Sequence, residues 1–478
     1  MISQKNTLKL SQVSALLVFC VTAILFIVFT NVSEAGFNDG DSISHYLISR
    51  FSITHPYLFL DHWGKPFFTL FSAPFSQAGF IGIQFFNILC ATLAALFTYL
   101  SAIKLKIPFP AFAILFLIFT PVYFTVIPTG LTEVFFSLVI IVSFYLFLCG
   151  RYIPAALLVS FLPFCRTEGF FMLPIFFAGL VLLKQYRAIP LLGAGTLLYS
   201  IIGYLYHYHD ILWIIHENPY GTVNIYGHGG LFHFISNNDT IFGPVLGCAF
   251  LIGLVFTVYG FFSKNARPDK TSLAANIILY GCFIVFFIAH SVFWWKGLFG
   301  SLGLNRVMAG IAPFIVLCSG QGLFYLKWIL KIKNEKYFLI FVVILAGLVV
   351  LTTKNAMRLP QKIDKNLDYI RQAGVFIQKE NTTGQKIYYT NRFLVFSMDA
   401  DPFENKCMVE LNEVNVKDLP SRSFILWETD FGPNECNVAQ TLLQNTSKYV
   451  FLKKFSPPTE ANDDKTRRHF EADVYVKK

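Results

Sequence analysis

The chain is short of charge. Of its 478 residues only 14% are Asp, Glu, Lys or Arg, against 55% apolar, and mean hydropathy is +0.56. Soluble globular domains carry roughly 25% charged residues, so most of this chain reads instead as a polytopic membrane protein. Cys and His at metal-ligand spacing are missing, which leaves no sequence support for a zinc-type centre. There is no internal repeat, and no low-complexity segment beyond the membrane bias. The nine cysteines make no framework. Cys20, Cys90, Cys149, Cys165, Cys248, Cys282 and Cys318 lie in or beside apolar runs, where they behave as small hydrophobes. That leaves Cys407 and Cys436, which either pair in an oxidising compartment or stand as two thiols.

A spanning helix needs roughly 20 apolar residues, and about eleven stretches qualify on that rule. They lie near 12–31, 80–103, 108–127, 131–149, 152–165, 169–184, 188–206, 241–262, 272–293, 305–326 and 337–353. The pair 152–165 and 169–184 is short enough to be half-helices. The first run exceeds the roughly 7–15 residues of a signal-peptide core and reads as an anchor.

Basic residues gather in cytoplasmic loops. Threading an odd number of spans from a cytoplasmic N-terminus places Lys5, Lys9, Lys104, Lys106, Arg151, Lys184, Arg187, Lys264 and Arg267 among the inside cations. Outside before residue 355 fall only Arg50, Lys65, Arg166, Lys296, Arg306 and Lys354. The acids divide the other way. Asp269 and Glu335 lie inside, whereas Glu34, Asp39, Asp41, Asp61, Glu133, Glu168, Asp210, Glu217 and Asp239 lie outside. Carboxylates contribute little to topology, so the excess points to chemistry at the outer face. The net charge of +10 is mostly the cytoplasmic loop signal and implies no nucleic acid.

The expected division is a membrane domain, 1–354, with a large first outer loop, 32–79, followed by a soluble extracytoplasmic α/β domain, 355–478. That tail holds seventeen of the twenty-eight acids. Apolar spacing at Ile363, Leu367, Ile370 and Phe376 predicts a helix over 361–379. Short β-rich runs follow at 386–390, 423–427, 449–455 and 472–476.

Asp39-Gly40-Asp41 stands just beyond the first apolar run. Carboxylates at a membrane edge are costly to dehydrate and tend to be functional. The same loop carries His45, Tyr46 and the run Asp61-His62-Trp63-Gly64-Lys65-Pro66. An outer lysine beside Gly and Pro, against the charge bias, is either a phosphate ligand or a snorkelling side chain.

These motifs resemble the GT-C superfamily of integral-membrane glycosyltransferases, in the branch of the protein O-mannosyltransferases and the lipid A aminoarabinose transferase. The likeness rests on Asp39 and Asp41, then Tyr46, then Gly64-Lys65-Pro66, with Phe67 where the family has a second proline. Leu131-Thr132-Glu133, Arg166-Thr167-Glu168-Gly169 and Asn305-Arg306 extend it, as does the tail domain. The resemblance implies an inverting transfer of a monosaccharide from a polyprenyl-phosphate carrier to a glycan, lipid or protein acceptor. Either Asp41 or Asp39 would be the general base, with Asp41 preferred. Lys65, Arg306 and Arg166 would hold the donor phosphate, and His45, Tyr46, His62, Glu133 and Glu168 would line the substrate site.

Each residue also has a plainer reading. His45 can cap an interfacial helix, Glu133 can answer a helix dipole, and Arg166 can simply pair with Glu168. Asp39 and Asp41 together offer oxygen ligands of the kind that suit Mg2+ or Mn2+. Two other classes compete with the enzyme: a transporter or flippase of a lipid-linked or polar substrate, and a non-catalytic subunit of a glycan-assembly complex. Phe- and Lys-rich usage suggests a bacterium, with the chain in the inner membrane and its tail domain on the periplasmic side.

Overall fold

The computed structural model describes residues 20–25, 27, 40–220, 227–262, 268–356, 365–404, 407–457 and 470–478. Most of the first apolar run, and Asp39, lie outside them. The chain divides into two compact units: Met1–Asn31 with Tyr57–Pro360, and Val32–Pro56 with Gln361–Lys478. The front of the first outer loop, which was expected with the membrane domain, groups instead with the tail.

In the first unit, six described helices are long and apolar enough to cross a membrane: Phe80–Lys104, Ile189–Tyr208, Gly243–Phe262, Lys270–Lys296, Asn305–Ile329 and Glu335–Lys354. Each matches an expected span. Glu133–Leu148, Tyr152–Phe164 and Thr167–Leu182 are apolar but shorter. The stretch 108–127 is not one helix. It breaks into Phe112–Ile118 and Pro121–Val126, with Thr120 extended between them at φ −67°, ψ 124°. Pro121 explains the break, because it lacks an N–H and its ring pushes the preceding residue out of the helical region.

Lipid gives helices little hydrophobic reason to associate, so close packing of small residues does that work. The helices Gly243–Phe262 and Ala312–Ile329 meet this way. A Cβ on Gly322 would lie 1.8 Å from the Ala249 carbonyl oxygen, and one on Gly253 would lie 2.5 Å from that of Cys318. Ser319 Oγ donates to Leu246 O across the same seam at 2.8 Å. Buried amides pin the turn before Glu133. Gln84 Nε2 donates to Pro128 O at 2.9 Å, and Asn87 Nδ2 donates to Thr129 O and Leu131 O at 2.6 and 2.9 Å. Carbonyls that would otherwise be bare in an apolar interior are thus satisfied, and the start of the Glu133–Leu148 helix is held in place.

In the second unit a five-stranded sheet has the order β2-β1-β3-β5-β4. Its strands are β1 Ile387–Tyr389, β2 Met408–Glu410, β3 Phe424–Glu428, β4 Tyr449–Phe455 and β5 Ala472–Lys477. β1 runs parallel to β2 and β3, while β5 is antiparallel to β3 and β4. The four expected strands are present. β2, three residues at the sheet edge, has too short an apolar run to be read in advance. The helix Lys365–Glu380 buries Tyr369, Ile370, Ala373 and Ile377. Phe376, expected with the core, is only half-buried. Cys407 is exposed and Cys436 is buried, and both are free thiols.

The helix Gly40–Phe51 belongs to this second unit through specific contacts. Tyr46 packs edge-on to Phe396 at 5.8 Å, Arg392 Nη1 donates to Ser44 Oγ at 3.0 Å, and His55 Nε2 lies 2.9 Å from Asp401 Oδ2. Arg50 bridges the Tyr46 hydroxyl and Asp399.

Candidate active site

Glu133 opens its helix and is 1% exposed. A carboxylate so buried needs compensation, and Arg166 supplies it: Nη1 stands 2.8 Å from Glu133 Oε1 and Nη2 2.9 Å from Glu168 Oε1. Arg166 Nη1 also reaches Thr132 Oγ1 at 3.2 Å. Arg306, on the short 3-10 helix Asn305–Ile311 that leads into a spanning helix, brings Nη1 to 4.0 Å from Glu133 Oε1. Among the described residues Glu133 Oε2 has no hydrogen-bond partner.

Lys65 joins the cluster from the other side. Its backbone takes φ +66°, the left-handed region that is costly for a residue with a Cβ. The side chain is nearly buried. Nζ donates to His62 O at 3.2 Å, to Thr167 Oγ1 at 3.0 Å and to the Tyr220 hydroxyl at 2.9 Å. Thr167 sits between Arg166 and Glu168, so the lysine and the arginine approach one short turn. The structure thus brings together Lys65, Arg166, Arg306, Glu133 and Glu168 from four separate stretches of sequence.

His62 serves this turn without carrying charge. Burial, and then the neighbouring Lys65, push its imidazole down to about 4. Nε2 lies 3.1 Å from Ile214 O, and the ring meets Trp213 edge-on. His290, near the end of the Lys270–Lys296 helix, places Nε2 3.2 Å from Glu168 Oε1. Sequence reading missed it, although a lone histidine inside an apolar span is the kind of residue that merits a role. Thr132, Thr167 and Tyr220 were missed too; the two threonines stand inside motifs that were noticed for their charges.

The remaining predicted residues belong to the second unit. Asp41 lies in the first turn of Gly40–Phe51. Glu435 has a raised carboxyl pKa, first through burial and then through the charge of Asp41, so two carboxylates are neighbours here. Tyr46 is buried; burial raises its phenol despite Arg50. Its contacts with Arg50 and Phe396 give it a packing role. His45 is buried in the same helix. Among the described residues no group of three or more His, Cys, Asp or Glu side chains could hold a metal, and Asp39, half of the expected pair, is outside them.

No family model and no curated protein matches the chain by sequence. Solved structures do match by shape. The crystal structure of ArnT from Cupriavidus metallidurans bound to undecaprenyl phosphate superposes with a TM-score of 0.59 over 97% of each chain, at 11% identity. The apo state of the same protein gives 0.56 over 98% of each chain at 12% identity. The fold is therefore the one seen in those ArnT structures: a bundle of apolar helices that crosses the membrane several times and carries a C-terminal sheet domain.

Proposed function

We infer that the chain is an inverting glycosyltransferase that moves a monosaccharide from a polyprenyl-phosphate carrier to a glycan, lipid or protein acceptor. The observation that carries this reading is the buried cluster of Lys65, Arg166 and Arg306 around Glu133, in a fold shared with a protein crystallised on undecaprenyl phosphate. Lys65, Arg166 and Arg306 against Glu133 and Glu168 leave one positive charge in excess, and buried charge is costly unless a counter-ion answers it. A prenyl phosphate is an anion that arrives with an apolar tail.

In this mechanism Asp41, or Asp39 beside it, accepts the proton of the acceptor hydroxyl. The freed oxygen attacks the anomeric carbon, the bond from that carbon to the phosphate oxygen breaks, and the electron pair leaves on the phosphate. Attack opposite the leaving group inverts the anomeric centre. Lys65 as a point charge and Arg306 and Arg166 as planar forks offset the growing phosphate charge. Glu133 and Glu168 keep the guanidinium of Arg166 aligned. Asp39 and Asp41 would also be the first ligands of a Mg2+ or Mn2+ ion, were the reaction to use one.

The test is transfer from a prenyl-phosphate sugar in reconstituted membranes, with donor and acceptor found by mass spectrometry of surface glycans and glycolipids from cells lacking the chain. Asp41→Asn and Asp39→Asn should separate the base from its neighbour by about 10²–10⁴-fold in rate. Full transfer by both variants at normal expression would sink the carboxylate mechanism. Movement of lipid or solute without any transfer would replace the enzyme reading with that of a flippase.

A further inference from the structure

The second unit has a groove of about 350 Å3 between the helix Lys365–Glu380 and β4. Arg371, Val375 and Lys379 line it from one helix face, being four residues apart, with Phe376 beside them; Lys453 and Phe455 come from the strand. Lys453 Nζ stands 5.4 Å from the Phe376 ring centre and 5.0 Å from that of Phe455. The two rings are 5.7 Å apart and tilted by 56°. This unit is otherwise rich in acid, and several of the cations nearest the groove are matched. Lys454, next on the strand, is paired with Glu471, and Arg392 with Glu410. Arg371 is partly answered by Asp368. Among the described residues no carboxylate pairs with Lys379 or Lys453.

We propose that this groove binds an anionic saccharide. The occupant follows from the mixture of surfaces. A small inorganic anion needs donors and gains nothing from Phe376, Phe455 and Val375. A neutral sugar needs no lysines. A sugar ring bearing a carboxylate or phosphate presents an apolar C–H face to the phenylalanines and its charge to Lys379, Lys453 and Arg371. The volume is within the usual range for small-ligand sites. Phe376 departs from the helix's core stripe to stand at this groove. Taken with the glycosyltransferase reading, on which this last step rests, the groove would hold part of a charged glycan acceptor.

The experiment uses the full chain in phosphatidylcholine nanodiscs and reads binding by calorimetry. The probes are tetragalacturonate and mannose 6-phosphate, with maltotetraose and mannose as neutral controls and hexaglutamate as a peptide competitor. At least one acidic saccharide should bind at least tenfold tighter than its neutral counterpart. Lys379→Gln and Lys453→Gln should each weaken it about tenfold, the worth of one charge-assisted hydrogen bond. Lys379 is on an exposed helix face, so that variant should keep its unfolding temperature and remain informative if Lys453→Gln does not. Acidic and neutral sugars binding alike, no change in Lys379→Gln, or tighter binding of hexaglutamate would overturn the proposal. Binding and catalysis are read separately. Saccharide binding without any transfer activity would leave the groove and remove the enzyme; transfer without binding would do the reverse.

Discussion

Glu133 in the membrane unit and Glu428 in the sheet domain are both 1% exposed, yet they are buried in opposite ways. Glu428 is fully answered by neutral donors. Oε1 accepts from the Tyr369 hydroxyl and the Asp430 N–H at 3.2 and 3.1 Å, and Oε2 accepts from the Phe431 N–H at 2.9 Å. Burial nevertheless raises its pKa. Glu133 is answered by guanidinium on one oxygen and by nothing described on the other. The first arrangement closes a loop onto β3. The second keeps charge concentrated, with capacity left over, which suits binding more than folding.

The sharpest way to break this contrast is Arg166→Met. It strands Glu133 and Glu168 without their main partner and should cost about 3–5 kcal/mol, seen as a large fall in unfolding temperature in detergent. A change under about 1 kcal/mol would mean that Arg306 and His290 suffice. Next come Lys65→Met and Arg306→Met. Each should lower transfer by about 10²–10³-fold, the scale of one lost electrostatic stabiliser, while most of the fold survives. If unfolding temperature falls in step with activity, the cations are structural.

Glu428→Ala should destabilise the sheet domain by about 3 kcal/mol, because it leaves several donors bare, and should touch transfer only through the folded fraction. A specific kinetic defect in a well-folded Glu428→Ala would erase the distinction. The smallest effect concerns pH. Unfolded, His62 titrates near 6.5; folded, it resists protonation down to about 4. The unfolded chain binds that proton first, so the contribution is whole above pH 6.5 and is lost as pH falls toward 4. His62→Gln should therefore reduce the fall in unfolding temperature over that window by a few degrees. An identical slope in both proteins would exclude His62 as the source.

Periodicity and composition carried most of the architecture. Runs such as 243–262 and 335–354 are apolar on every side, and length alone marks them as spans. Strands of alternating or continuous apolar residues were equally legible at 424–428 and 472–477. The break at Pro121 was missed because apolar length was weighed above the one residue that cannot continue a helix. The place of Gly40–Phe51 was not legible either. Its Tyr46 and Arg50, and His55 just beyond it, join Phe396, Asp399 and Asp401 more than three hundred positions away, and no local pattern encodes such a pairing.

The site divides along the same line. Its charged members could be picked out one by one, since a lone Lys65, Glu133, Arg166 or Arg306 at the end of an apolar run is uncommon enough to stand out, though each also had a plainer reading. Sequence by itself determined the class of molecule and that short list of ions, because hydropathy and charge are properties of residues in order. Only the tertiary structure decided that Arg166 stands between Glu133 and Glu168, that Lys65 reaches Thr167, and that His290 is among them. Coulomb energy and hydrogen bonding act over a few ångströms, and those distances exist only once the helices have packed.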